Sequence, residues 1–420
     1  MKILLYGINF SPELTGIGKY TGEMAAWLAE QGHDVRVVTA PPYYPEWKLG
    51  QGYSNRWSCR DDAYLRVYRC PLWVPAKPSG LKRLLHLASF ALTSMPVMLR
   101  QVFWRPDVVW GVEPALFCAP VALLVARLSG ARAWLHIQDY EVDAAFDLGL
   151  VKGRQVRRFV ERGERWLKQR FDVVSTISQR MLARAQAKGV AASALRFFPN
   201  WVDLTPFALL RHDAVAAYRR ELGIADSAVV ALYSGNMGGK QGLEILADAA
   251  RLCTANPNMV FVFCGGGAGR ADLVARCTGL SHVRWLSLQP VEQLPALLKM
   301  ADIHLLPQRA DAADLVMPSK LTGMLASAHP VVATACEGTE LHGVINGAGV
   351  ASQVCGLTVP PGDADALAGA IMRLAADEAL RERLGKAGFA YAQQHLDKAA
   401  VLQQFEADLK ALVSRAGSCD

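Results

Sequence analysis

Short apolar runs alternate with helical periodicity along this chain, and past the midpoint the series starts again. Ile3–Tyr6 is an apolar run of buried-strand character, and Lys19–Gln31 carries Met24, Trp27 and Leu28 on one helical face. Gly32 ends that pattern and Val35–Thr39 is the next apolar run. Strand, helix and strand in that order make a βαβ unit, which requires a parallel sheet with helices over its faces. Val108–Trp110, Ala133–Ile137 and Val173–Thr176 extend the first series, while Ala228–Tyr233, Val260–Cys264, Ile303–Leu306 and Val331–Thr334 make a second. The expected fold is α/β: two facing Rossmann-like, doubly wound domains with a cleft between them. The expected domains are 1–200 and 201–397, joined through "FFPNWVDLTPF" (Phe197–Phe207), with a C-terminal helix at about 398–420 returning to the first. With 420 residues, 52% of them hydrophobic, the chain can fill two cores.

In open α/β sheets, ligands gather beyond the carboxyl ends of the strands. Three glycine-rich stretches fall there. "NFSPELTGIGKY" (Asn9–Tyr20) puts Gly16 and Gly18 between a strand and a helix, where backbone amides can meet an anion. A tight turn without a ligand explains the stretch equally well. Glu13 stands where a P-loop needs glycine, and Thr21 where G-x-G-x-x-G needs its third, so neither fingerprint is present. "SGNMGGKQG" (Ser234–Gly242) and "GGGAG" (Gly265–Gly269) repeat the logic in the second half. Lys240 is expected at a helix start, where the dipole disfavours a cation unless a diphosphate is there to neutralise. Pro318, Ser319 and Lys320 open another helical pattern: Ser319 suits a cap, and Lys320 with Lys240 would make a cationic clamp. Each such contact is worth about 1.5–3 kcal/mol. "AWLHIQDY" closes a strand with His136 and Asp139. An imidazole there can donate to a sugar hydroxyl or a departing phosphate, although a lone histidine is more often structural.

Composition narrows the partners. A net charge of +7 suits phosphate-rich ligands or an anionic membrane and is too weak to argue nucleic acid. Nine scattered cysteines without a C-x-x-C pair read as reduced thiols. Met1-Lys2 and four apolar residues are too short for a signal peptide, and Ala115–Ala126 is too short to span a bilayer, so a cytoplasmic location is expected. No Asp-x-Asp loop appears; Asp61 and Asp62 lie in a polar run, and no metal is expected.

Over nearly its whole length the chain resembles glycosyltransferase family 4, with its two-Rossmann B-type fold. The resemblance rests on "GIGKY", "EQGHDVRVVTAPPYYP", "HIQD", "PNWVDLTPF", "LYSGNMGGKQGLEIL", "PSKLTGMLASAHPVVAT" and "LTVPPGDADALAGAI". "NFSPELTGIGKYTGEMAAWL" is most similar to the subgroup assigned to fucosyl transfer in colanic acid capsule assembly. The resemblance implies retaining transfer from a nucleotide-diphosphate sugar, GDP-fucose in that subgroup, to a polyprenyl-diphosphate-linked saccharide. No cofactor is implied. Lys240, Lys320, Pro318 and Ser319 would hold the diphosphate, Gly16, Gly18 and Gly267 would approach the donor, and His136 would meet the reacting sugar. Two departures bear on the donor. Asn236 stands where many members carry arginine, and the E-x7-E glutamates align with Leu315 and Gly323; Glu340 is a nearby carboxylate without an assigned role. Tyr43 and Tyr44 in "PPYYPEW", with Asp139, are expected on the acceptor side. Two readings compete with transfer: a nucleotide-sugar 2-epimerase, which needs converging carboxylates, and a non-catalytic two-lobed binding protein.

Two segments of the first half suit an anionic bilayer surface. Leu81–Trp104 is apolar with Lys82, Arg83, Arg100 and Arg105 at its ends. Val151–Arg170 sets Arg154, Arg158, Arg162 and Arg165 on one helical face and Val156, Phe159, Gly163 and Trp166 on another. A solvated face of a core helix is the alternative.

Overall fold

The structure, a computed structural model, describes residues 1–13, 16–62, 65–76, 80–113, 116–140, 154–238, 241–310, 317–348 and 353–414. It divides into two compact units: unit 1 is Met1–Pro199 with Leu402–Asp420, and unit 2 is Asn200–Val401.

Unit 1 is built on an eight-stranded sheet. Its strands are β1 (Lys2–Tyr6), β2 (Asp34–Thr39), β3 (Ser58–Asp62), β4 (Leu65–Arg69), β5 (Val108–Glu113), β6 (Arg132–Ile137), β7 (Val173–Thr176) and β8 (Leu195–Phe197). They lie in the order β3-β4-β2-β1-β5-β6-β7-β8. All neighbours are parallel except β3, which runs antiparallel to β4 at the edge. Sequence periodicity misses β3 and β4 because an edge strand is half solvated and carries no continuous apolar run. Asp61 sits on that edge, paired with Arg66 of β4. The Gly16–Glu30 helix joins β1 to β2 and stops at Gly32, whose φ of +81° is the left-handed conformation that glycine supplies at a helix end.

The C-terminal Lys398–Ser414 helix lies on this sheet. Phe405 stacks on Phe198 at 4.4 Å and meets Trp134 edge-on at 5.1 Å, and Glu406 bonds His33 at 2.8 Å. Burying a side chain of Phe405's size contributes about 1.5–3 kcal/mol.

The Arg154–Lys168 helix turns Glu164, Leu167 and Lys168 inward, while Phe159 and Trp166 of its expected apolar row are 80% and 55% exposed. Arg158, Arg162 and Arg165 are exposed beside them. The side chains of Arg154 and Val156 lie outside the described residues. A buried ion network, described below, sets this rotation in place of apolar packing.

Unit 2 carries a six-stranded parallel sheet: β9 (Val229–Ser234), β10 (Met259–Cys264), β11 (Val283–Leu286), β12 (Ile303–Leu306), β13 (Val331–Thr334) and β14 (Gly356–Val359), in the order β11-β10-β9-β12-β13-β14. The order in which strands are added reverses between β9 and β12, and in unit 1 between β1 and β5. Loops beyond those strand ends form the switch points at which open sheets bind ligands. The helix after β9 is described from Glu244. Gly239 and Lys240 themselves lie outside the described residues.

Candidate active site

The switch point of unit 2 is made of two glycine loops packed backbone on backbone. Gly235 follows β9 with φ +135°, and Gly265 follows β10 with φ +143°. A Cβ on Gly265 would stand 2.0 Å from the Gly235 carbonyl oxygen. Gly267 is as tightly enclosed: its Cβ would fall 2.6 Å from Asn236 Oδ1. The Met237 amide donates to Gly266 O at 2.8 Å, and the Gly269 amide to Met237 O at 2.8 Å. Gly267, expected to face a donor, is thus a glycine because the neighbouring loop needs its space. Asn236 is exposed on that loop, and its carbonyl accepts from the Tyr233 hydroxyl at 2.6 Å.

Lys320 rises into this corner from the start of the Lys320–Ala326 helix. Its Nζ donates to Tyr233 Oη at 3.1 Å and lies 4.2 Å from the centre of that ring. A Cβ on Gly235 would be 3.5 Å from Nζ, so the glycine leaves the ammonium room. Both partners are neutral, and no described carboxylate forms an ion pair with it. Burial lowers its pKa to about 8. A desolvated ammonium with neutral partners at a switch point can take an anion.

The other donor-side positions are spread around this corner. Ser319 precedes the helix in helical conformation and its side chain makes no capping bond. Pro318 accepts from the Leu321 amide at 3.0 Å. Glu340 opens the short Glu340–Ile345 helix, which Thr339 caps, and its charge adds to burial in raising the pKa of Tyr391. Gly323 faces Leu298, and a Cβ there would come within 3.0 Å of Leu298 Cδ1. Leu315 lies outside the described residues.

In unit 1 the loop after β1 is organised by Glu13, a residue that motif reading passed over. Its carboxylate is buried, 6% exposed, and accepts from the amides of Tyr43 and Tyr44, each at 3.1 Å, and from Asn9 Nδ2 at 2.9 Å. Burial raises its pKa against those three donors. Gly18 is what admits it: a Cβ on Gly18 would sit 2.6 Å from Glu13 Oε2. Gly18 therefore faces a side chain of its own unit, while Gly16, with φ +60° and nothing within 4 Å of its would-be Cβ, faces open space.

The two tyrosines held by Glu13 point differently. Tyr43 is buried between Trp47 and His86, at 5.6 and 4.6 Å. Tyr44 is 36% exposed, and after burial the charge of Asp139 is the next cause of its raised pKa. Tyr44 and Asp139 are brought together; Tyr43 belongs to the packing beneath them.

His136 differs most from its expected setting. The ring is 2% exposed, stacked on Trp110 at 5.4 Å and edge-on to Phe198 at 5.1 Å. Its Nδ1 is bonded to Ser175 Oγ at 2.8 Å and its Nε2 to Gln138 Nε2 at 3.0 Å. Burial pushes its pKa down to about 3, so the imidazole is neutral. It would reach a sugar only by giving up Gln138.

Beyond β5 lies a second carboxylate that the motifs did not flag. Glu113, fully buried, meets Lys168 Nζ at 3.1 Å; Lys168 meets Glu164 at 2.6 Å, and Glu164 meets Lys188 at 2.7 Å. Burial raises the Glu113 pKa. Burial alone would lower that of Lys168, but the two facing carboxylates outweigh it and keep it charged. This network pins the Arg154–Lys168 helix to the sheet end. An acid directly after an apolar run was the available sequence signal for Glu113. Among the described residues no three His, Cys, Asp or Glu side chains gather as a metal cage requires.

The glycosyl transferase 4-like domain matches residues 15–201, and glycosyl transferases group 1 matches residues 215–391. The chain is 47% identical over 416 residues to WcaI of Escherichia coli (strain K12), named as a colanic acid biosynthesis glycosyl transferase, covering 98% of this chain and all of that one. It is 27% identical over 399 residues to a GDP-mannose-dependent alpha-(1-6)-phosphatidylinositol monomannoside mannosyltransferase of Mycolicibacterium smegmatis, covering 92% of each. Among solved structures, sucrose-phosphate synthase of Thermosynechococcus elongatus superposes with a TM-score of 0.75 at 19% identity, covering 99% of each chain. HepE of Anabaena in complex with UDP and glucose superposes with a TM-score of 0.68 at 19% identity, covering 98% of this chain and 100% of that one. These two likenesses establish the fold, the two-Rossmann B-type architecture.

Proposed function

We propose, on the premise that the chain belongs to glycosyltransferase family 4, that it moves a sugar with retention of configuration from a nucleotide-diphosphate donor to a polyprenyl-diphosphate-linked saccharide, in the assembly of a colanic acid-like exopolysaccharide. The observation that carries the donor half is Lys320. An ammonium desolvated without a counter-ion costs free energy until an anion arrives, and a diphosphate supplies two charges at the switch point of the sheet. The name of the Escherichia coli relative supports the pathway, and the UDP complex of HepE supports a nucleotide donor.

Transfer requires the diphosphate to leave. Lys320, together with Lys240, meets the charge that builds on the leaving oxygen as the glycosidic bond breaks. No enzymatic nucleophile and no metal enters this reading. Unit 2 holds the donor. Unit 1 holds the acceptor at Tyr44 and Asp139. GDP-fucose is the first donor to test. The acceptor sits in a membrane leaflet, so the enzyme works as a peripheral protein on the inner face of the cytoplasmic membrane; no helix among the described residues is long and apolar enough to cross one.

The test is a thermal-shift panel of nucleoside diphosphates, followed by nucleoside diphosphate release from GDP-fucose and other nucleotide sugars with and without lipid-linked acceptor. A base-selective shift and acceptor-dependent release support transfer. Epimerised sugar without acceptor, or no nucleotide shift at all, overturns it.

A further inference from the structure

We propose that the outer face formed by the Gly80–Gln101 and Ala119–Ser129 helices of unit 1 is the surface that inserts into an anionic bilayer. The proposal rests on the reading of a lipid-linked acceptor and names the surface that meets the lipid. Leu81, Leu85 and Leu92 are 69%, 52% and 67% exposed along one stripe of the first helix. The same helix buries His86, Leu87, Phe90, Ala91, Ser94 and Met98 on its other side, where Ser94 bonds Tyr6 of β1 at 2.6 Å. Leu124 and Leu128 are 45% and 58% exposed on the second helix, which packs beside the first. Phe103, 89% exposed, comes from the short Val102–Trp104 turn that touches both. Isolated exposed leucines are ordinary; six large apolar side chains on mutually packed elements form a patch that water disfavours.

The charge pattern selects the occupant. Neither helix contains an aspartate or glutamate, while Lys82, Arg83, Arg100 and Arg127 lie exposed among or beside the leucines. An apolar centre on two helices that carry cations and no carboxylate matches an anionic lipid surface, with the leucines below the headgroups and the cations among them; a carboxylate at its border, Asp34, accepts from Trp104 Nε1 at 3.2 Å. Trp57 lies on the flank, its indole N–H donating to Thr93 O at 3.1 Å while 61% of the residue stays exposed. A tethered indole at the patch edge suits the membrane interface.

The position of the patch links it to the acceptor loop. At the N-terminal end of the first helix, Arg83 stacks over Trp47 at 5.5 Å and His86 meets the Tyr43 ring at 4.6 Å. One helix therefore turns its outer stripe to lipid and its inner end to the loop that carries Tyr44. A diphosphate-linked saccharide anchored in the leaflet would reach Tyr44 without leaving the bilayer. The exposed Phe159 and Trp166 lie on a different helix, so variants separate the two faces.

The test uses the full chain with vesicles of phosphatidylcholine alone or mixed with phosphatidylglycerol, at low and high salt. The expected result is co-sedimentation with the anionic vesicles and a blue shift of tryptophan emission. A Leu92→Glu/Leu124→Glu variant should lose about tenfold or more of that binding, while an Arg158→Glu/Arg162→Glu variant loses less. Vesicle binding unchanged in the leucine variant, or absent in the wild type, overturns the proposal. So does a concentration-dependent dimer that the leucine variant abolishes, because a second copy would then cover the face. A nucleoside diphosphate thermal shift, run in parallel, keeps the readings apart: its absence sinks the donor reading and leaves the docking result standing.

Discussion

Lys320→Met should make the unliganded protein more stable while removing diphosphate binding. The ammonium is buried against a neutral hydroxyl and a ring, and burial lowers its pKa from 10.5 to about 8. A depression of that size, at about 1.36 kcal/mol per unit, corresponds to about 3 kcal/mol against the charged form at pH 7. Methionine keeps most of the aliphatic stem and removes the charge. Losing the hydrogen bond to Tyr233 costs about 1 kcal/mol, leaving a net gain of about 2 kcal/mol, or about 4–8 °C for a unit of this size. The pH dependence has a definite sign. Between pH 8 and 10.5 the unfolded chain binds more protons at this lysine than the native one, so wild-type stability rises with pH across that window. The variant lacks that rise, and the two melting temperatures converge at the alkaline end. Thermal melts of both proteins at pH 7 and pH 10, with and without nucleoside diphosphate, measure all of this. A variant less stable than wild type at pH 7 refutes the desolvation argument. A variant that still shifts with diphosphate refutes the anion role.

Glu13→Ala should free the Tyr43 and Tyr44 amides and raise KM for acceptor while the nucleoside diphosphate shift stays unchanged; equal loss of donor affinity would count against its confinement to unit 1. His136→Ala should cost about 2–4 kcal/mol, because the ring fills space between Trp110 and Phe198 and both nitrogens are bonded. Turnover lost at unchanged melting temperature would instead put the imidazole at the reacting sugar. EDTA should leave transfer intact, since the lysines meet the leaving charge; loss restored by manganese would defeat that account.

The two sheets were legible because buried parallel strands must be apolar on both faces, and nine such runs stand out from the helices between them. β3, β4, β8, β11 and β14 were not: four of them are sheet edges and β4 lies beside one, and half-solvated strands lack that signature. The site was legible only in outline. Glycines mark strand ends reliably, but sequence cannot say what occupies the space a missing side chain leaves. At Gly265 it is the Gly235 carbonyl, at Gly267 the Asn236 loop, and at Gly18 the Glu13 carboxylate. Gly16 and Gly235 leave room, and Gly235 leaves it beside Lys320.

That difference explains how a chain without the usual glutamate pair can keep a donor site. A Cβ at position 323 would come within 3.0 Å of Leu298 Cδ1, so a side chain there requires that leucine to give way. What remains at the switch point is a cation with neutral partners and a bare backbone, which recognises charge and not hydroxyl pattern. Sugar discrimination then falls to groups outside this corner. Glu340 is a carboxylate of the same unit close enough to Tyr391 to perturb it, and it stands at the first turn of a capped helix, where its position is fixed by the backbone and its charge is favoured by the dipole. We expect Lys320→Met to abolish binding of every nucleoside diphosphate alike and Glu340→Gln to alter which sugar is transferred while the bare diphosphate still binds, measured by thermal shift and by nucleotide release from a panel of nucleotide sugars; a Glu340 variant that loses the diphosphate shift, or keeps the sugar preference, refutes the division.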